Sequence, residues 1–403
     1  MTMPLEGIRV VDFTWVGAGP FLTKPLADHG AEVIKIESRV RVDPIRSMSP
    51  FRDGEPGINR SGYFANRNSS KRSMLVNLKD PRGRDLALQI IARSDVVANN
   101  FTPGTLSRLG LGYEEASSVR PDVIFLDMPM QGMTGPHAPF RGYGLTIAAA
   151  GGFLALSGYA DRPPVGTGTN YPDHVPNPLH STVAVLAGLR YRELTGCGLH
   201  IELAQLESTV NAVGPAVIAA ADKQEVGRMG NRDVLACPHG VFPSAGTDQW
   251  CAIAVEDDAQ WEALVQVLGW PALQLAEWAT SAGRVEDIDR LEQAVSAATS
   301  TRPAEALAEA LAAAGVPAYP VLDARGVLYD DPQLREREHW VVLNHPEMGA
   351  SVYDGIPYRL SATPGRLRGP APLLGADTRD VCIKLLGIDE RTYDSLVRDG
   401  VVG

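Results

Sequence analysis

Within its first 36 residues the chain runs strand, turn, helix, strand, and few folds accept that order. IRVVDF (8–13) is a β-branched run that reads as a buried strand. TWVGAGP is a Gly/Pro turn, residues 21–29 read as a helix, and Gly30 is its stop signal. EVIKI (32–36) is the second strand. Strand, helix and strand in about 30 residues make the βαβ unit of an open parallel sheet. The Gly17-Ala18-Gly19 turn lacks the GxGxxG spacing of a dinucleotide fingerprint, and no GxxxxGK is present. Neither NAD, FAD nor a nucleotide held by a Walker loop is therefore expected.

The alternation continues. MLVNL, residues 96–98 and VIFLDM (123–128) read as strands, with a helix over 80–94 and another beginning at TLSRLGL. This pattern predicts an α/β fold with a parallel sheet. From about residue 225 the texture changes to strand, turn, strand and then Ala-rich acidic helices. The expected organisation is a large α/β domain over 1–224, a smaller α+β domain over 225–325, and a turn-rich segment, 326–403, laid back on the large domain.

Charge narrows the partners. The 403 residues hold 37 basic and 48 acidic side chains, a net charge of −11 that disfavours nucleic acid. The segment 39–79 is nonetheless basic, with Arg39, Arg41, Arg46, Arg52, Arg60, Arg67, Lys71, Arg72 and Lys79. Such a segment suits a small anionic ligand such as a phosphorylated cofactor, or is simply a solvated face. No apolar run approaches the ~18 residues of a membrane span, and the start has no secretion or transit signal. Four scattered cysteines without a CxxC pair fit a reduced, cytoplasmic setting and no zinc site.

One acidic residue stands apart. PPVGTGTNYPDHVPNPLH (163–180) contains Asp173 among five prolines and two glycines, so regular structure is not expected before a helix opens at Ser181. Asp173 is either a turn residue bonded to its own backbone or a carboxylate held stiffly toward a substrate, where it can attack an activated acyl group. These residues alone leave both open.

Several blocks together carry a resemblance. PLEGIRVVDFTWVGAGP, LADHGAEVIKIES, RNSSKRSMLVNLKDPRG, NFTPGTLSRLGLGYE, RPDVIF, the Asp173 loop, LRYRELTGCGLHIELAQLEST, GVPAYPVLDARGVLYDDPQL and SLVRDGVV resemble, in order, the family III CoA-transferases. That family includes the formyl-CoA:oxalate and carnitine CoA-transferases. The resemblance implies a Rossmann-like large domain, built from the N-terminal part and the C-terminal tail, with an inserted smaller domain. It also implies an interlocked dimer, homomeric or with a related subunit. The family's acyl-accepting aspartate falls on Asp173. Its CoA contacts fall on Val16, Gly17, Ala18, Arg39, Val76, Lys79, Asn100, Phe101, Thr105 and Arg108. The implied substrate is a coenzyme A thioester, with no permanently bound cofactor and no metal. Backbone N–H groups of Gly166-Thr167-Gly168 or Gly151-Gly152 are candidates for oxyanion stabilisation.

The same resemblance frames the rivals. A racemase of this fold needs a histidine in a GHD-like block, where this chain has Gly142-Tyr143-Gly144. A CoA-binding subunit without activity would lack the nucleophile. The glycine-rich lid of formyl-CoA transferase has no counterpart in MGNRDVLACPHG. The Asp173 loop looks most like the succinyl-CoA:benzylsuccinate subgroup. A second carboxylate on the substrates would need a cation or hydrogen-bond donors nearby, for which Asn170, Tyr171 and His174 are candidates. His174 either contacts a substrate carboxylate or turns away.

Overall fold

A computed structural model describes residues 3–403, which fall into two compact units. The first comprises the chain up to Phe153, then Gly166–Gln224 and Gln333–Gly403. Its frame is a six-stranded parallel sheet: β1 (Arg9–Asp12), β2 (Glu32–Glu37), β3 (Arg72–Leu75), β4 (Val96–Asn99), β5 (Ile124–Asp127) and β6 (Leu199–Glu202). The strand order is β3-β2-β1-β4-β5-β6. The order reverses between β1 and β4, and open α/β sheets bind ligands in the crevice beyond the strand ends at such a point.

Alternation along the strands builds two cores. Val11, Ile34, Met74, Val97 and Phe125 face one side with Leu86, Ile90, Val381, Cys382, Leu396 and Val402. Val10, Val33, Val96, Ile124 and Leu126 face the other with Leu22, Leu26 and Val185. Helix α1 (Ala18–Asp28) and the long helix Pro176–Thr195 cover that second face. Asp80 caps the helix Pro81–Ile91 on the first face through Arg82 N, with Pro81 at its opening position. A hairpin, β10 (Trp340–His345) and β11 (Gly349–Asp354), adds Tyr353 to a smaller cluster with Phe64 and Ile45.

The second unit comprises Leu154–Val165 and Glu225–Pro332. Its antiparallel sheet has the order β7 (His239–Pro243), β8 (Trp250–Ala254) and β9 (Ala318–Pro320). Phe242, Ile253, Trp261, Leu264, Trp278, Leu291, Val295 and Leu311 fill its core. Among the described residues no helix is long and apolar enough to cross a membrane, and all four cysteines are free.

Three local expectations give way. Residues 199–202 form the sixth strand of the sheet, beyond the three strands expected after residue 73; four residues are too few for periodicity to register. The strand placed at MLVNL starts two residues earlier and ends at Leu75, because β3 pairs with β2 from Arg72. The Asp173 loop is also more regular than its prolines suggest. Tyr171–His174 is one helical turn, and the following helix opens at Pro176 rather than Ser181. Proline in a first helical turn gives up an N–H that would be unpaired anyway, so it marks an opening rather than forbidding one.

Candidate active site

The turn after β1 is held from below by buried charge. Asp12 Oδ1 accepts from Thr14 N at 2.8 Å and Thr14 Oγ1 at 2.5 Å. Its Oδ2 accepts from Thr23 Oγ1 at 2.6 Å and Lys71 Nζ at 3.1 Å. Lys35 Nζ donates to Thr14 O at 2.5 Å and lies 3.0 Å from Asp43 Oδ2. Asp43 Oδ1 in turn accepts the Val16 N–H at 3.0 Å. The Asn100 amide, just after β4, accepts from Trp15 N and donates to Trp15 O, each at 2.8 Å. Asp12, Lys35, Asp43 and Asn100 bond residues 14–16 directly, while Thr23 and Lys71 hold Asp12 in place. The result is a β-branched Val16 at φ 64°, a conformation that costs on the order of 1–3 kcal/mol and persists only where neighbours impose it.

That geometry delivers Gly17 to Asp173. A Cβ on Gly17 would lie 3.3 Å from Asp173 Cβ and 2.9 Å from Tyr63 Oη, so no larger residue fits without displacement. Gly144 packs on the other side, where a Cβ would meet Asp173 Oδ2 at 2.8 Å. Its backbone N–H donates to that same oxygen at 3.0 Å. Asp173 is 5% exposed, and no cation pairs with it among the described residues. Burial pushes its carboxyl up to about 6, with the Gly144 N–H pulling the other way.

His174 sits beside it between two hydroxyls. Tyr63 Oη lies 3.1 Å from Nε2 and Thr169 Oγ1 lies 2.9 Å from Nδ1. Burial, and then the charge of Arg67, push its imidazole down to about 4, so it is neutral at neutral pH. The Arg67 guanidinium lies over the Phe21 ring at 4.2 Å and over the Tyr63 ring at 5.9 Å.

The expected site residues thus divide. Asp173, His174, Asn170 and Gly17 come together, with Asn170 Cβ 2.7 Å from the Cβ position of Gly144. Tyr171 turns its ring to Phe153, 5.5 Å between centroids. Val16, Ala18, Asn100 and Phe101 form the adjoining wall, where Phe101 meets Trp15 edge-on at 5.3 Å. Val76 is a core residue bridged to Val402, and Asn100 spends its amide on Trp15. Arg39, Lys79 and Arg108 are exposed beyond the ends of β2, β3 and β4. Arg108 donates to Thr105 Oγ1 at 3.1 Å. The N–H that reaches Asp173 belongs to Gly144; residues 166–168 are exposed, and Gly151 packs on Thr209.

The basic segment is mostly neutralised. Arg46 pairs with Glu37, Lys71 with Asp12, Arg72 with Glu32, Arg52 with Asp53, and Arg60 with Asp53 and Glu55. Among the described residues Arg39, Arg41, Arg67 and Lys79 have no carboxylate within 4.0 Å. Arg41 instead covers the Trp15 ring at 5.1 Å. Sequence reasoning missed Asp43, Tyr63, Arg67 as a site residue, and Gly144. Tyr63 and Arg67 lie in a helix, Gly62–Arg67, capped by Ser61, whose start signal sits inside the basic segment 39–79.

This chain therefore has a buried, unpaired carboxylate at the switch point of a parallel sheet, a site suited to nucleophilic acyl chemistry. The sequence model of CoA-transferase family III matches residues 5–378. The chain is 31% identical over its whole length to the whole of a formyl-CoA:oxalate CoA-transferase of Streptomyces avermitilis. It is 32% identical to a succinyl-CoA:glutarate CoA-transferase of Mus musculus, covering 99% of this chain and 90% of that one. The crystal structure of a CAIB/BAIF family protein from Brucella suis superposes with a TM-score of 0.87 at 29% identity, covering 96% of this chain and all of that one. With fold and sequence in agreement, the chain belongs to CoA-transferase family III and is an enzyme of the CoA-transferase type.

Proposed function

We propose that the protein moves coenzyme A from succinyl-CoA to a second dicarboxylic acid, such as a substituted succinate, with Asp173 as the covalent carrier. One observation carries this reading: among the described residues Asp173 is buried, held by a single N–H and unpaired with any cation, so its carboxylate is poorly solvated and reactive at neutral pH. The mouse relative named for succinyl-CoA and glutarate supports the dicarboxylate class.

In the proposed cycle an Asp173 oxygen attacks the thioester carbonyl. The acyl–sulfur bond breaks, CoA leaves as thiolate, and an aspartyl–acyl anhydride remains. The thiolate then attacks the aspartyl carbonyl carbon, forming an aspartyl–CoA thioester and releasing the donor as carboxylate. The acceptor carboxylate attacks that thioester, a second anhydride forms, and CoA thiolate takes the acceptor acyl group. Asp173 is regenerated, and no net proton or electron is consumed. The Gly144 N–H is poised for the oxyanion on the aspartyl carbon.

Exposed Arg39, Lys79 and Arg108 suit the CoA phosphates, and Trp15 and Phe101 offer rings for stacking. Val16, Gly17, Ala18, Val76, Asn100 and Thr105 contribute backbone and shape. The helix Gly214–Ala221 has no buried residue and exposes Val217 and Ile218, while Pro176–Thr195 exposes Val183 and Leu194. Such apolar surface supports assembly as a dimer, with a second copy or a related subunit. The four free cysteines accord with a cytoplasmic setting.

The test is to incubate the protein with succinyl-CoA, quench with hydroxylamine, and map peptides by mass. A hydroxamate on Asp173, absent without acyl-CoA, is expected. Labelling by other thioesters but not succinyl-CoA would keep the mechanism and reject the donor. No adduct with any thioester would sink the covalent cycle.

A further inference from the structure

None of the three residues expected to meet a second carboxylate supplies a cation: Asn170 is a neutral amide. His174 is neutral at neutral pH, and the Tyr171 ring packs on Phe153. Arg67 has the opposite character. Its Nε is buried without a hydrogen-bond partner, and no carboxylate lies within 4.0 Å of the guanidinium among the described residues. The largest opposing charge acting on it is that of Asp354, which accepts a hydrogen bond from Asn66 instead. Fully exposed arginines need no counter-ion, because water satisfies them; a half-buried guanidinium with its Nε shut away from water is better satisfied by an anion. Its planar fork matches a carboxylate with two parallel hydrogen bonds.

Its position fits that task. Arg67 lies over the Tyr63 ring, and the Tyr63 hydroxyl lies between His174 and the Gly17 turn that touches Asp173. Four carbons of an extended succinyl chain span about 3.8 Å, as two Cα atoms do across a trans peptide. A charge-assisted hydrogen bond of about 2.8 Å extends that reach at the carboxylate end. An acyl group seated on Asp173 can thus pass the Tyr63 hydroxyl toward the cation beyond it. Resting on the dicarboxylate reading above, we propose that Arg67 is the specificity-determining residue that binds the distal carboxylate of the acyl group, with the Tyr63 hydroxyl lining the path.

The experiment measures the rate of hydroxylamine-trapped Asp173 labelling by succinyl-CoA and by butyryl-CoA, which has the same four carbons without the second charge. Wild type, Arg67→Met and Arg67→Lys are compared. Wild type is expected to favour succinyl-CoA. Arg67→Met should lose about 100-fold with succinyl-CoA, about 2.8 kcal/mol, and less than 3-fold with butyryl-CoA. Arg67→Lys, which keeps charge but not the fork, should lose about 10-fold with succinyl-CoA only. Equal losses with both thioesters would assign Arg67 to a CoA phosphate and overturn the proposal, while leaving the succinyl donor intact. No loss with either overturns it too. Wild type indifferent to the second carboxylate would instead bring down the dicarboxylate reading, and this inference with it. Should Arg67→Met fail to fold, the substrate selectivity of Arg67→Lys decides by the same criteria.

Discussion

Two buried aspartates, Asp12 and Asp173, serve the same crevice in opposite ways. Burial alone would raise Asp12, but Lys71, Lys35 and the hydroxyls of Thr14 and Thr23 outweigh it, so its carboxyl lies below the usual range. Among the described residues Asp173 has only the Gly144 N–H, and it stands at about 6. The first carboxylate is satisfied and holds up a turn. The second is kept short of partners, as its proposed role as covalent carrier requires. Burial does not distinguish a structural acid from a reactive one; the count of donors and cations around it does.

The largest expected effect separates the two outright. Asp173→Asn should abolish turnover, by at least about 1,000-fold, because a carboxamide cannot carry the acyl group. It should also raise the melting temperature at pH 8. A folded pKa above the unfolded one means the folded state binds the extra proton between about pH 4 and 6, so stability falls as pH rises through that window. The penalty above pH 6 is about 3 kcal/mol, and the stabilisation of the variant should shrink toward zero near pH 4. A thermal melt at both pH values checks this.

Asp12→Ala should do the reverse. It leaves Lys71 buried without its carboxylate, which destabilises by roughly 3–5 kcal/mol. Calorimetry that found the two substitutions equally destabilising would erase the contrast.

The pH–rate profile comes next. The acid limb of kcat/KM should titrate with an apparent pKa of about 6, not near 4, because only the ionised carboxylate attacks.

A double-mutant cycle probes the link between the two regions. Asp43→Asn weakens the grip on Val16, and Val16→Gly removes the steric cost of its left-handed backbone. Val16→Gly should recover about 1 kcal/mol of the loss caused by Asp43→Asn. Strict additivity in chemical denaturation would show that Asp43 does not hold the strained turn.

The smallest effect concerns acid stability. His174 has its folded pKa depressed to about 4, so stability rises with pH between about 4 and 6.5, against the slope of Asp173. The neighbours should nearly cancel. His174→Gln should unmask a slope that falls with pH, measurable by denaturation at pH 4.5 and 6.5.

Much of the frame was legible in residues 8–36, since strand, turn and helix signals there are local and agree with one another. Asp173 was legible as a singular acidic residue, and its meaning came from collinear resemblance, not from the loop itself. The floor of the site was not legible. Asp12, Lys35, Asp43 and Lys71 meet only after β1, β2 and β3 align, and a basic segment read by charge alone hides five cations spent on internal carboxylates. Gly144 escaped because its N–H acts across 29 positions of sequence, which no local pattern encodes. Val16 carries no signal of strain, as valine is ordinary in a strand and exceptional only at the φ it adopts here.

The Trp15 clamp also gives the molecule an optical reporter. Of six tryptophans, Trp250, Trp261, Trp270 and Trp278 belong to the second unit and Trp340 to the hairpin. Trp15 stands at the crevice of the first unit, fixed by Asn100, edge-on to Phe101 and covered by the Arg41 guanidinium. A cation over an indole perturbs its excited state, so an anion that draws Arg41 away changes the emission of one identifiable ring. Ligand occupancy of the crevice can then be followed by intrinsic fluorescence, without a label and before any chemistry occurs.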